Sequence, residues 1–191
     1  PPGFDAGTPG RGGREVVPMH PICQQTLIAN FEVATGQVLS PTVGPSRNEQ
    51  DFTDHVARTV ASDPEAEWIF IVDNLNIHMS ESLVRSVANS CHLDCDLGTK
   101  GRSGILRTMT TREQFLTHST HRIRFAYTPK RALWLNQIEL WFSILARRLL
   151  RRASFVSTQH LIDRIHAFIE YFNKTMAKPF KWTYRGRPLV V

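Results

Sequence analysis

The run Trp68-Ile-Phe-Ile-Val-Asp73 constrains this chain more than any other stretch. Five apolar residues, three of them β-branched, read as a short strand of a parallel or mixed sheet, buried on both faces. Its carboxyl end falls at Asp73, the position where open α/β sheets place ligands. A carboxylate at the lip of a buried strand needs a partner, because desolvating an unpaired charge costs several kcal/mol. A metal ion is one such partner. The plainer reading is that Asp73 caps the next helix or opens a turn. Asn74 follows directly, and His78 lies five positions after the Asp. His78 could act as an acid–base group beside a phosphate. The expected role is support, orienting the neighbouring carboxylate or capping a helix.

A second stretch bears on the same site. A strand expected over residues 122–127 ends in Thr128-Pro129, and a helix begins a few residues later. Trp134, Leu135, Ile138, Trp141, Phe142, Leu145 and Leu149 recur at helical spacing and make a broad apolar face. Glu139 borders that face, which is expected to pack on the sheet, and Asn136 stands one turn ahead on the same side. Two acids from separate elements, converging at the mouth of a sheet, suit hard divalent cations such as Mg2+ or Mn2+.

Together, Asp73-Asn-Leu-Asn-Ile-His78, Tyr127-Thr-Pro and Trp134-Leu-Asn-Gln-Ile-Glu139-Leu-Trp-Phe142 resemble the catalytic core of DDE-superfamily transposases, of the bacterial insertion-sequence kind related to mariner elements. The resemblance spans roughly residues 24–188. It implies a ribonuclease-H-like α/β fold, a mixed sheet flanked by helices. It also implies two Asp and one Glu holding two divalent ions, which activate a water or a DNA 3′ hydroxyl for attack on a phosphodiester. By position, Asp73 matches the second acid and Glu139 the third; Asn74, His78 and Asn136 become supporting groups around them.

The sequence departs from the family pattern at the first acid. In the family that Asp lies on a central strand upstream of a hairpin. Before Glu15 this chain has only Asp5, set among Gly and Pro where no strand can run. Asp5 is not assigned to the triad. The expectation is a fold lacking its first central strand and an amino-terminal helix-turn-helix, as in a truncated transposase or the second part of a split reading frame. Such a chain would be inactive alone, and would work as a homodimer or with a complementing amino-terminal fragment.

Charge points to the partner. Residues 1–100 carry 6 Lys/Arg against 13 Asp/Glu (net −7), and residues 101–191 carry 17 against 4 (net +13). A basic half of this kind suits a polyanion, DNA first. Arg147, Arg148, Arg151 and Arg152 cluster at the end of the Glu139 helix, and Lys130 and Arg131 precede it. The alternative is a solvated face that serves solubility.

Residues 1–21, rich in Gly and Pro, read as disordered. The core is expected over residues 22–176. It opens with a hairpin, strands 24–33 and 38–43 around the turn 34–37. A helix over 48–61 buries Phe52, Val56 and Val60. Ser80 caps a helix running to about Ser90. Residues 91–120 read as a basic, mobile insertion with a short helix near its end. Gly98-Thr-Lys-Gly-Arg-Ser-Gly104 lacks the order of a phosphate-binding loop. Cys91 and Cys95, with Cys23, are read as structural thiols because no second Cys/His pair completes a zinc site. A last helix over 158–173 precedes a tail, 177–191, whose aromatics and basic residues either clamp DNA or pack back on the domain; packing is the expectation. No apolar run reaches membrane length and no signal-peptide core is present, so a cytoplasmic, nucleoid-associated bacterial protein is expected.

Three functions follow from these residues. The first is metal-dependent cleavage and strand transfer in DNA transposition. The second is a transposase remnant that binds DNA without cutting it. The third, more remote, is an α/β phosphotransfer enzyme with Asp73 as nucleophile.

Overall fold

A computed structural model describes residues 24–129 and 136–181. The segment 1–21, Cys23, Lys130, Arg131, Trp134, Leu135 and residues 182–191 lie outside the described residues. Strands β1 (Thr26–Phe31) and β2 (Val38–Gly44) pair antiparallel. Helix α1 (Glu49–Ala61) starts with a capping box, in which Asn48 and Asp51 satisfy each other's backbone N–H groups. That bond and the Ser46 hydroxyl hold the Asp51 carboxyl below the usual carboxylate range. Strand β3 (Trp68–Val72) leads through a 3-10 turn (Asn76–Met79) into α2 (Glu81–Ser90), whose first turn is capped by the Ser80 hydroxyl. Helix α3 (Met109–Leu116) precedes β4 (Ile123–Tyr127), which runs parallel to β3 with Val72 opposite Tyr127. Helix α4 (Ile138–Leu145) passes into a π-turn (Ala146–Leu150), and α5 (Thr158–Thr175) follows.

The architecture is α/β, with small sheets flanked by helices, consistent with a ribonuclease-H-like domain. Among the described residues the hairpin and the β3–β4 pair are separate two-stranded sheets. Two apolar clusters result. In the first, Phe52 and Val56 of α1, Leu83 and Val87 of α2, and Phe115 of α3 close over Phe70, Val72, Ile123 and Phe125. In the second, Trp141, Leu145 and Leu149 meet Ile165, Ile169 and Phe172 of α5 beneath Val38 and Phe31 of the hairpin.

The structure corrects the sequence reading of β3. Among the described residues only one face of this strand is covered. Phe70 and Val72 enter the first cluster, while Ile69 and Ile71, pointing the other way, are 59% and 44% exposed. The period of two along a strand forces this alternation once helices cover a single side. Helix α4, expected on that sheet, packs instead on β1 and α5.

The segment expected to be mobile is tied down. Leu106 is fully buried in the first cluster, and its N–H donates to the Leu97 carbonyl (2.9 Å). The tail packs as far as it is described. Met176 and Ala177 join the second cluster, and the Phe180 N–H donates to the Val33 carbonyl (3.0 Å). Among the described residues no helix is long and apolar enough to cross a membrane.

Candidate active site

Asp73 sits one residue beyond the end of β3, its side chain 30% exposed. One carboxylate oxygen, Oδ1, accepts from the Leu75 N–H (3.2 Å) and lies 2.8 Å from His78 Nδ1. The same ring nitrogen is 3.0 Å from the Asp73 carbonyl oxygen. Both partners of Nδ1 only accept hydrogen bonds, so Nδ1 carries the proton and Nε2 is the acceptor of the neutral ring. Oδ2 accepts no hydrogen bond among the described residues. Asp73 therefore opens a turn, as the plainer sequence reading expected. His78 in turn rests on the Phe52 ring, with centroids 4.3 Å apart.

The turn carrying His78 is gripped by Tyr127, part of the motif noted in the sequence, and by Arg112, which sequence reasoning passed over. The Tyr127 hydroxyl donates to the His78 carbonyl (2.8 Å). Burial, with Glu113 nearby, pushes that hydroxyl well above its ordinary pKa, so it stays a protonated donor. Buried Arg112 reaches from α3 to the Met79 carbonyl (2.8 Å). The Thr128 N–H extends the parallel ladder to the Val72 carbonyl (2.9 Å), and Asn74 Nδ2 donates to the Thr128 carbonyl (2.6 Å). Asn74 thus ties the ends of β3 and β4 together. Tyr127 could have been found from its place at the end of β4. Nothing in the sequence places Arg112 against a carbonyl 33 residues earlier.

Glu139 lies in the first turn of α4, where a negative side chain complements the helix dipole. It is exposed, as is neighbouring Leu140, and does not border the packed face as expected. The reason is the rotation of α4: Trp141 and Leu145 point into the second cluster, which leaves Glu139 on the open side. Asn136 contributes its backbone carbonyl, which accepts from the Glu139 N–H (3.2 Å).

Arg147 and Arg148 fall in the π-turn and Arg151 and Arg152 just after it, all four exposed and none in an ion pair among the described residues. Cys91 and Cys95 are free thiols.

The donor chemistry at this site, hard carboxylate oxygens, suits a small divalent cation. Among the described residues, however, no group of three or more His, Cys, Asp or Glu is gathered to hold one. Of the acids expected here, Asp73 has His78 beside it, while Glu139 lies on the exposed side of α4.

The profile of a family described as DDE superfamily endonuclease matches residues 7–162. No curated protein and no solved structure matches the chain significantly.

Proposed function

The chain belongs to the DDE superfamily of endonucleases, and on that premise we propose that it serves DNA transposition as a phosphodiester-cleaving and strand-transferring domain. The observation that carries the reading is the Asp73–His78 pair at the carboxyl end of a parallel strand, with one carboxylate oxygen left open. Asp73 and Glu139 are the ligands for Mg2+ or Mn2+. When bound, such ions activate the attacking oxygen and stabilise the leaving one. His78 holds the Asp73 carboxylate in one orientation. Asn74 fixes the strand ends beneath it, and Asn136 starts the helix that carries Glu139. Lys130, Arg131, Arg147, Arg148, Arg151 and Arg152 hold the DNA backbone, as expected of a cytoplasmic protein working at the nucleoid. A second copy of the chain or a complementing fragment is the partner expected to complete the site.

Two divalent ions bring four positive charges, and two carboxylates offset half of them. We therefore expect one weakly held ion and no cleavage by this chain alone. Mn2+ should broaden the NMR resonances of the His78 ring in the native chain and not in Asp73→Ala. Loss of that difference would remove Asp73 as a ligand. Supercoiled plasmid with Mg2+ or Mn2+ should stay intact. Nicking above the Asp73→Ala background would mean that another acid, Asp5 or Glu32, completes the site.

The exposure of Glu139 favours a second reading, a DNA-binding domain that cuts nothing. Under that reading Glu139→Gln leaves Mn2+ binding unchanged; under the first it weakens it.

A further inference from the structure

Away from Asp73, the π-turn and α5 enclose an open groove of about 780 Å³. Four arginines line it, Arg147, Arg148, Arg152 and Arg164, together with Phe168 and Tyr171. None of these arginines has a carboxylate partner among the described residues. The π-turn explains the grouping. Its wide turn is closed by the Arg151 N–H donating to the Ala146 carbonyl (2.9 Å). With donor and acceptor five positions apart, side chains five apart come into line, so Arg147 and Arg152 share the groove while Arg151 stays out of it. Across the gap, Arg164, Phe168 and Tyr171 form one stripe of α5 at helical spacing. Tyr171 is 54% exposed among the described residues, a large aromatic side chain open to a partner.

We propose that this groove is a binding site for single-stranded DNA, with unpaired bases stacking on Tyr171 and Phe168 and phosphates on the four arginines. Four unpartnered like charges in one groove favour a polyanion, whose binding also releases counterions. The rings decide which polyanion. Bases in a duplex are stacked on one another and offer no free face, whereas an unpaired base can lie on an aromatic ring. The proposal rests on the reading that the chain acts on DNA, and is independent of Asp73 and Glu139 as ligands. A domain that cuts and rejoins strands handles exposed single-stranded ends, and this groove would hold one.

The test is fluorescence anisotropy in EDTA with three labelled probes: oligothymidylate of about ten nucleotides, an abasic oligomer of equal length, and a blunt duplex. Oligothymidylate should bind more tightly than the abasic oligomer. Tyr171→Ala should weaken oligothymidylate by about tenfold, leave the abasic oligomer unchanged, and be rescued by Tyr171→Phe. Arg164→Ala should weaken both single strands and flatten their salt dependence. Equal binding of the abasic probe, or indifference to Tyr171→Ala, would overturn the proposal and leave a merely basic surface. Tighter binding of a poly-glutamate peptide would overturn it in favour of an acidic protein partner. If the duplex binds and the single strands do not, the groove proposal alone falls. If no nucleic acid binds, the DNA reading falls with it.

Discussion

His78 Nδ1 lies 2.8 Å from Asp73 Oδ1 and 3.0 Å from the carbonyl oxygen of the same residue, so one ring N–H holds both the side chain and the backbone of the strand-end acid. Replacing His78 by Ala should lower Mn2+ affinity at Asp73 by about tenfold, the usual effect of losing a group that orients a ligand. Tyr127→Phe removes only the bond to the His78 carbonyl. It should cost about 1 kcal/mol of stability and leave metal affinity within twofold or so. Mn2+ titrations followed by electron paramagnetic resonance, beside urea melts, separate the two effects.

The hairpin turn depends on a residue without a side chain. Gly36 has φ +75°, and a Cβ there would lie 1.9 Å from the Lys178 carbonyl oxygen. Gly36→Ala should therefore destabilise the fold by more than about 2 kcal/mol, because strain and a backbone clash add. The midpoint of urea denaturation reads the loss. An unchanged midpoint would mean that residues 177–181 do not lie across the turn.

His55 gives stability a pH dependence. It is almost fully buried on α1 with Thr42 Oγ1 at 3.1 Å from Nδ1, and burial, helped by the nearby Arg58 charge, lowers its pKa to about 4. The unfolded chain protonates this ring at its ordinary value of about 6.5. Between those values the unfolded state binds the extra proton. The contribution of His55 is therefore complete above about pH 6.5 and is lost as pH falls towards 4, by about 3 kcal/mol over the whole window. Burial lowers the pKa of His121 too, which adds in the same direction. Guanidinium melts from pH 4 to 7 should show the slope, and NMR titration should find the His55 ring neutral at pH 5.

Duplex DNA should be held through the arginines around the π-turn. Replacing Arg147, Arg148, Arg151 and Arg152 together with Ala should weaken binding and flatten the plot of log affinity against log salt by about 1 for each lost phosphate contact. Arg151 lies outside the α4–α5 groove. Arg151→Ala should accordingly weaken the duplex while sparing oligothymidylate. An unchanged salt slope in the fourfold variant would mark the cluster as a solvated face.

What the sequence determined by itself was local. The apolar run into Asp73, the Asn48 and Ser80 caps, the spacing of Phe52, Val56 and Val60, and the stripe of α5 each depend on neighbours within a few residues, so periodicity and capping chemistry suffice to read them. The motifs around Asp73 and Glu139 likewise carried the family. Which face each element presents was decided only by tertiary structure. Five apolar residues in a row do not say whether one face or two will be covered, and Ile69 and Ile71 stay open because α1, α2 and α3 all gather on the other side of β3. The apolar stripe of α4 could have met either sheet. Its choice of the hairpin and α5 turns Glu139 outward. Arg112 and Tyr127 reach the turn at His78 across 33 and 49 residues, and the tail crosses Gly36 from Lys178. Such contacts between distant segments come from chain-wide packing, which no local pattern encodes.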